Sequence, residues 1–172
     1  MGINEVTKRF KNALKSKKIW YVLTVFILIV SVFLRFYNLN WDHYLLFHPD
    51  ERNIANAVTK IHFFNQLNPE FFAYGGLTIY LYRFWGDVID FLTKNQVWVT
   101  DWGHINLIGR ICSAIFSSFT VIAIYFLAKI FFNKKVAFLS FLIAAFTVSF
   151  IQSAHFAVTE SIITLVVVLT CL

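Results

Sequence analysis

Long apolar runs alternate with short polar segments along this chain. The runs predict transmembrane helices at residues 19–37, 110–132 and 136–151, and the start of a fourth at residues 161–172. At about 1.5 Å per helical residue, about 20 apolar residues cross a hydrocarbon core roughly 30 Å thick. The fourth run is too short to cross, which is typical of the amino-terminal part of a longer membrane protein. A basic segment, residues 1–18, precedes the first run.

The region between the first and second runs, residues 38–109, has a different pattern. Its apolar residues recur at three- and four-residue spacing and predict two helices, at about residues 50–66 and 77–92. The second helix carries three charges on its polar face, which would be costly inside a membrane. We therefore expect both helices to lie along the membrane surface. A short turn, residues 152–160, separates the third run from the fourth.

The composition indicates a membrane protein of the all-α class, with multiple transmembrane helices and a long first loop. Hydrophobic residues make up 59% of the 172 residues and charged residues only 14%, which is too apolar for a soluble domain. Lysines and arginines concentrate in residues 1–18 and 134–135, so the positive-inside rule places the amino terminus in the cytoplasm and residues 38–109 outside. The net charge of +6 then reflects topology. No basic-aromatic patch indicates nucleic acid.

Two adjacent carboxylates, Asp50 and Glu51, follow the first run within His48-Pro49-Asp50-Glu51. Because Pro49 suits the first helical position, both carboxylates fall in the first turn, where negative charge stabilises a helix by about 0.3–1 kcal/mol. A helical wheel turns both toward the apolar side of their helix, where they would face protein or membrane. A capping role and a chemical role are both open on this pattern.

Four more polar residues near the predicted outer surface are candidates, and three have plain alternatives. His48 could order Asp50 or contact a phosphate, or it could be an ordinary residue before a helix. Arg110 could bind a phosphate, or it could extend its side chain to the membrane interface. His155 could contact a phosphate or a metal, or it could be an interfacial histidine. Glu160 is a further carboxylate five residues later.

Four motifs follow one another along residues 34–172. They are His48-Pro49-Asp50-Glu51; Asn68-Pro69 with Tyr74-Gly75-Gly76-Leu77-Thr78-Ile79-Tyr80-Leu81; Gly109-Arg110; and Ser153-Ala154-His155-Phe156-Ala157-Val158-Thr159-Glu160. Their order and spacing resemble the amino-terminal half of a GT-C fold glycosyltransferase of the family 39 type, which includes protein O-mannosyltransferases and lipid A aminoarabinose transferases. The resemblance implies a multi-pass enzyme that transfers a sugar from a polyprenyl- or dolichyl-phosphate carrier to an acceptor outside the cytoplasm.

The resemblance also implies roles for particular residues. Asp50 matches the acidic residue of the family's first outer loop, and Glu160 matches a second acidic position at which many relatives carry Asp. Sugar transfer from a phosphate needs a base for the incoming hydroxyl and hydrogen-bonding or positive groups for the departing phosphate. We therefore predict Asp50 as the base, with Glu51 beside it in the catalytic pair. The predicted substrate-binding residues are His48, Arg110, His155 and Glu160.

A divalent metal would suit such a site, but the spacing of His, Asp and Glu follows no recognised ligand pattern, so metal ligands stay unassigned. The expected partners are the lipid-linked sugar donor, the outer acceptor and the bilayer, with the plasma membrane as location. A non-catalytic subunit that holds a lipid-linked saccharide or a partner protein is the alternative function. A transporter fits less well, because no charge lies in the middle of a predicted span. We expect this segment to be inactive by itself.

Overall fold

The computed structural model describes residues 17–172, apart from the side chain of Lys17. All regular structure in this part of the chain is helical, with one antiparallel bridge between His62 and Gln66. The all-α class predicted from the sequence is therefore confirmed for these residues. The predicted basic cytoplasmic segment, residues 1–18, lies almost wholly outside them.

Helices run through most of the described chain, and two of them are long and apolar enough to cross a bilayer. In chain order they are α1 (Lys17–Phe36), α2 (Pro49–Lys60), α3 (Gly76–Thr93), α4 (Val97–Thr100), α5 (Trp102–Phe131), α6 (Lys134–Phe146), α7 (Val148–Ser153) and α8 (Glu160–Thr170). The two that meet the length and hydropathy requirements are α1 and α5. With 30 residues, α5 is about 45 Å long, which exceeds the roughly 30 Å of a hydrocarbon core.

The central element is α5, because every other described helix packs against it. It begins eight residues before the predicted start at residue 110. The side chain of Asp101 accepts a hydrogen bond from the backbone N–H of His104 at 3.0 Å, which caps the helix at this earlier point. One apolar cluster fills the space between α5, α2 and α3, and a second joins α5 to α6.

The structure ends α2 at Lys60, where the sequence pattern continues a helix to about residue 66. Beyond Lys60 the chain turns back on itself, and the backbone groups of His62 and Gln66 exchange two hydrogen bonds of 2.8 Å. Residues 61–64 are β-branched, aromatic or histidine, types that favour helix less than Leu or Ala. By contrast, α3 begins and ends within one residue of the predicted 77–92.

The structure divides the predicted third span, residues 136–151, into α6 and α7. Thr147 adopts extended backbone angles between them. Arg35 of α1, which is fully buried, donates hydrogen bonds to the carbonyl oxygens of Ala144 at 3.2 Å and Ala145 at 3.0 Å. These carbonyls belong to the last turn of α6, where no intrahelical donors remain. A cation at the carboxyl end of a helix also suits the helix dipole, so Arg35 stabilises the break.

Candidate functional site

A buried arginine joins three distant parts of the chain. Arg110 lies in the amino-terminal third of α5 and is 1% exposed. Its Nε and Nη2 donate to the two carboxylate oxygens of Glu51 at 2.8 and 2.7 Å. Its Nη1 and Nη2 donate to the two oxygens of Asp42 at 2.7 Å each, and Nη1 also donates to the carbonyl of Leu39 at 3.0 Å. All five N–H groups of the guanidinium are therefore engaged.

This arrangement bears directly on the interpretation of Arg110 as a phosphate ligand. No N–H of Arg110 is left for a phosphate oxygen while both carboxylates remain in place. The alternative of a side chain extended to the membrane interface does not fit either, since Arg110 is enclosed by protein. Its contacts make it a positioning residue for Glu51 and Asp42.

Asp42 is the carboxylate that sequence analysis did not single out. It follows α1 in a turn, where its oxygens accept the backbone N–H groups of Tyr44 at 3.3 Å and Leu46 at 3.2 Å. Burial alone would raise the pKa of Asp42, but the hydrogen bonds and positive charge of Arg110 lower it below its ordinary value. Asp42 is therefore held as a carboxylate whose charge Arg110 balances.

Glu51 connects α2 to the segment that leads into α8. Besides its two bonds to Arg110, its Oε1 accepts the backbone N–H of Ala157 at 2.6 Å. Gly109 makes this approach possible, because a Cβ at that position would collide with the Ala157 side chain and with the Tyr82 ring. The Gly109-Arg110 pair thus acts as one unit, in which the glycine admits the segment and the arginine holds the carboxylate.

Asp50 differs from Glu51 in that it is only partly buried. It forms a hydrogen bond with the Tyr74 side chain, and this bond raises the pKa of the Tyr74 hydroxyl above its ordinary value. The negative charge of Glu160 acts on Tyr74 in the same direction. Glu160 is exposed at the first position of α8. Asp50 and Glu160 therefore both act on one tyrosine, although 110 residues separate them in sequence.

The two predicted histidines contact backbone carbonyls and an aromatic ring rather than the carboxylates of this group. His155 has its ring nitrogens 2.8 Å from the carbonyl oxygen of Ile151 and 3.0 Å from that of Tyr37. It therefore links α7 to the end of α1, and both nitrogens face backbone. The His48 ring packs on Phe156 with centroids 4.7 Å apart, and its buried Nδ1 has no hydrogen-bond partner within the described residues.

Trp41 completes the enclosure of Arg110. The guanidinium carbon lies 5.0 Å from the centre of the Trp41 ring, a cation–π geometry. The indole N–H donates to the carbonyl of His155 at 3.2 Å, which ties the turn after α1 to the segment before α8. The aromatic ring excludes water from the ion pairs and so strengthens them.

The ionisable side chains of residues 17–172 do not form a metal-binding cluster. No group of three or more His, Cys, Asp or Glu residues there has the geometry to hold an ion. Within the site, the oxygens of Glu51 and Asp42 are already bonded to Arg110. The carboxylates that remain open are Asp50 and Glu160.

The structure brings together three of the predicted positions and adds two that were missed. Glu51 and Arg110 are in direct contact, and Asp50 lies next to them on α2. Asp42 and Tyr74 are the additions. A signal for Asp42 was present, since it and Arg110 both fall at the predicted outer ends of spans and have opposite charge. Tyr74 stands at the start of a segment of the second family-like motif, but that motif gives no role for its side chain.

Comparison with known proteins gives one match. Residues 102–172 match the family described as dolichyl-phosphate-mannose-protein mannosyltransferase. No curated protein and no solved structure matches the chain. The matched part covers less than half of the chain, but it contains Arg110 and Ala157, the two groups that bind Glu51. This chain therefore carries a GT-C glycosyltransferase-like segment, extending from α5 to α8.

Proposed function

We propose that the protein is a membrane glycosyltransferase that moves a sugar from a polyprenyl- or dolichyl-phosphate carrier to a hydroxyl acceptor on the outer side of the plasma membrane. The observation that carries this proposal is the pairing of an open carboxylate, Asp50, with a neighbour, Glu51, whose every oxygen is fixed. The family match of residues 102–172 supports the same class of reaction.

In the proposed reaction Asp50 is the general base that accepts the proton of the acceptor hydroxyl. The acceptor hydroxyl attacks the anomeric carbon of the donor sugar, and a carbon–oxygen bond to the acceptor forms as the bond to the phosphate breaks. The phosphate leaves with the bonding electron pair, and Asp50 accepts the hydroxyl proton. An anchored lipid donor needs a site near the membrane surface, where its concentration is high and its orientation restricted.

The other residues support this reaction by position. Glu51, Arg110 and Asp42 fix the first turn of α2 against α5, which orients Asp50. Tyr74 forms a hydrogen bond with Asp50 and lies under the influence of Glu160. We assign Glu160 to acceptor or donor positioning, because its charge acts on the same tyrosine from the start of α8. His48 and His155 are proposed to shape the wall of the site near Phe156.

The decisive experiment is Asp50→Asn in the full-length protein. Asparagine keeps the size of the side chain but accepts no proton, so sugar transfer from a polyprenyl-phosphate donor in purified membranes should fall about 10²–10⁴-fold. Protein level and melting temperature should stay close to wild type, since a first-turn charge contributes only about 0.3–1 kcal/mol. Glu70→Gln is the matched control, because Glu70 is an exposed carboxylate of the same outer region, paired with Lys60.

Turnover by Asp50→Asn near the wild-type value would reject Asp50 as the base. If that variant still bound a lipid-linked saccharide, the non-catalytic binding subunit would become the better description. A comparable loss in Glu70→Gln would mean that charge in the loop, and not proton transfer at Asp50, controls activity.

A further inference from the structure

A second polar cleft lies at the far end of α2 from Asp50. It encloses about 620 Å³ between the end of α2, the second half of α3 and the residues around α4. Its lining includes His62, Arg83, Asp87, Asp90, Phe91 and Lys94. The nearest α2 residue in its wall, Thr59, is nine positions from Asp50, or about 14 Å along the helix axis. The cleft is therefore separate from the proposed transfer site.

Arg83 gives the cleft a fixed donor. The residue is 7% exposed, and its Nε lies 3.0 and 3.1 Å from the two oxygens of Asp87. A third contact joins Nη2 to the same carboxylate at 3.0 Å. Within residues 17–172, Nη1 has no hydrogen-bond partner, and Arg83 is part of the cleft wall. The arginine is thus held rigidly by one carboxylate, with a free edge of N–H donors.

Asp90 gives the cleft a fixed acceptor. Its Oδ1 accepts the backbone N–H of Trp98 at 3.2 Å, which leaves Oδ2 without a partner in the described structure. Partial burial, with the nearby charge of Asp87, raises the pKa of Asp90 above its ordinary value. A hydroxyl donor from a ligand would satisfy the open oxygen of this carboxylate.

The charges of the cleft balance. Two cationic side chains, Arg83 and Lys94, face two carboxylates, Asp87 and Asp90. A phosphate bound to Arg83 would be repelled by the neighbouring carboxylate of Asp90. A metal ion would have to compete with Arg83 for the carboxylate of Asp87. Neither kind of ion gains a net attraction. A neutral ligand that is both donor and acceptor can use every open group.

An aromatic face borders these polar groups. Phe91 is 83% exposed and belongs to the cleft lining. It continues a row of exposed apolar residues, Leu77 and Phe84, that recurs every seven positions along α3. The carbon–hydrogen face of a pyranose ring is apolar and can pack against the phenyl ring of Phe91. The hydroxyls of the sugar can then point to the polar wall of the cleft.

We propose that this cleft binds a neutral saccharide, with its hydroxyls on Arg83 and Asp90 and one ring face on Phe91. The saccharide is either part of a soluble glycan or the headgroup of a glycolipid. The exposed apolar row of α3 favours a membrane-surface location. This site does not depend on the reaction proposed for Asp50.

The test uses the full chain in phospholipid nanodiscs and saturation-transfer difference NMR with neutral disaccharides of glucose, mannose or galactose. We expect saturation of the sugar ring protons by the protein. Phe91→Ala and Asp90→Asn should each weaken binding about three- to tenfold, because the first removes the aromatic contact with the sugar ring and the second removes a charged hydrogen-bond acceptor. Phe72→Ala is the control, since Phe72 is 75% exposed, against 83% for Phe91, and lies outside the cleft lining. Asp50→Asn should bind the sugar as wild type does.

Two further experiments distinguish a lipid-borne from a soluble saccharide and test phosphate as a competing ligand. Nanodiscs that contain galactosyl diacylglycerol should suppress the disaccharide signal if the natural ligand is a lipid headgroup, and leave it intact if it is a soluble glycan. Absence of a sugar signal in plain nanodiscs would overturn the proposal, as would a signal that Phe91→Ala and Asp90→Asn leave unchanged. Binding of inorganic phosphate at this cleft in place of sugar would also overturn it.

Discussion

Replacing Arg110 with methionine tests whether the buried ion pairs hold the site together. Methionine keeps an unbranched side chain compatible with α5 but removes all five N–H donors. The carboxylates of Asp42 and Glu51 would remain in place with side chains 1% and 0% exposed. Each would then be a buried charge without its balancing cation.

The expected loss in the free energy of unfolding follows from the burial of the two carboxylates. Removing one partner of a buried ion pair costs about 3–5 kcal/mol, because the remaining charge is left uncompensated. Typical total stabilities are about 5–15 kcal/mol, so Arg110→Met should remove a large share of the free energy of unfolding. Adding Asp42→Asn and Glu51→Gln neutralises both charges, and the triple variant should recover part of the loss. Arg52→Met is the control, since Arg52 is exposed on α2 and its replacement should stay within about 0.5 kcal/mol.

The assay is reversible SDS unfolding in mixed micelles, followed by tryptophan fluorescence. Arg110→Met with wild-type stability would refute the ion-pair assignment. The phosphate-ligand interpretation makes a different prediction, namely unchanged stability with a raised KM for the lipid-linked donor. The two interpretations therefore separate in one set of measurements.

Two other predictions concern charge. The pKa of Asp42 is lowered in the folded state, so its contribution to stability is present above its ordinary pKa of about 4 and is lost as the pH falls through the lower folded value. In Asp42→Asn the free energy of unfolding, measured from pH 2 to 6, should therefore fall less steeply toward acid pH than in the wild type. The charge pattern also predicts that an impermeant thiol reagent, applied to intact cells, modifies a cysteine introduced at Asp50 and spares one at Lys134 in a background without Cys112 and Cys171. The reverse labelling pattern would invert the proposed topology.

The sequence predicted well those features that depend on local pattern. The all-α class follows from apolar runs of membrane length, and the start of α2 follows from Pro49 with two acidic residues behind it. The inward direction of Glu51 follows from helical periodicity. Each of these signals lies within a window of a few residues, where spacing alone determines which side faces the core.

The sequence predicted poorly those features that depend on distant partners. Glu51 and Arg110 are 59 residues apart, and Asp42 and Arg110 are 68 apart, so nothing in a local window pairs them. Reaction chemistry, which needs hydrogen-bonding or positive groups at the departing phosphate, predicts a phosphate-binding role for Arg110. Chemistry identifies a residue type, whereas the packing of α5 against α2 decides what that residue contacts.

The helix break inside the predicted third span and the formation of the site are linked through Arg35. Arg35 satisfies the last carbonyls of α6, so the helix ends at Phe146 although apolar residues continue. The chain can then turn through α7 and pass residues 154–159 back toward α2 without forming one continuous helix. On this path the backbone N–H of Ala157 reaches Glu51. A buried cation in the first span thereby helps to fix a carboxylate in the first loop, and through it the neighbouring Asp50.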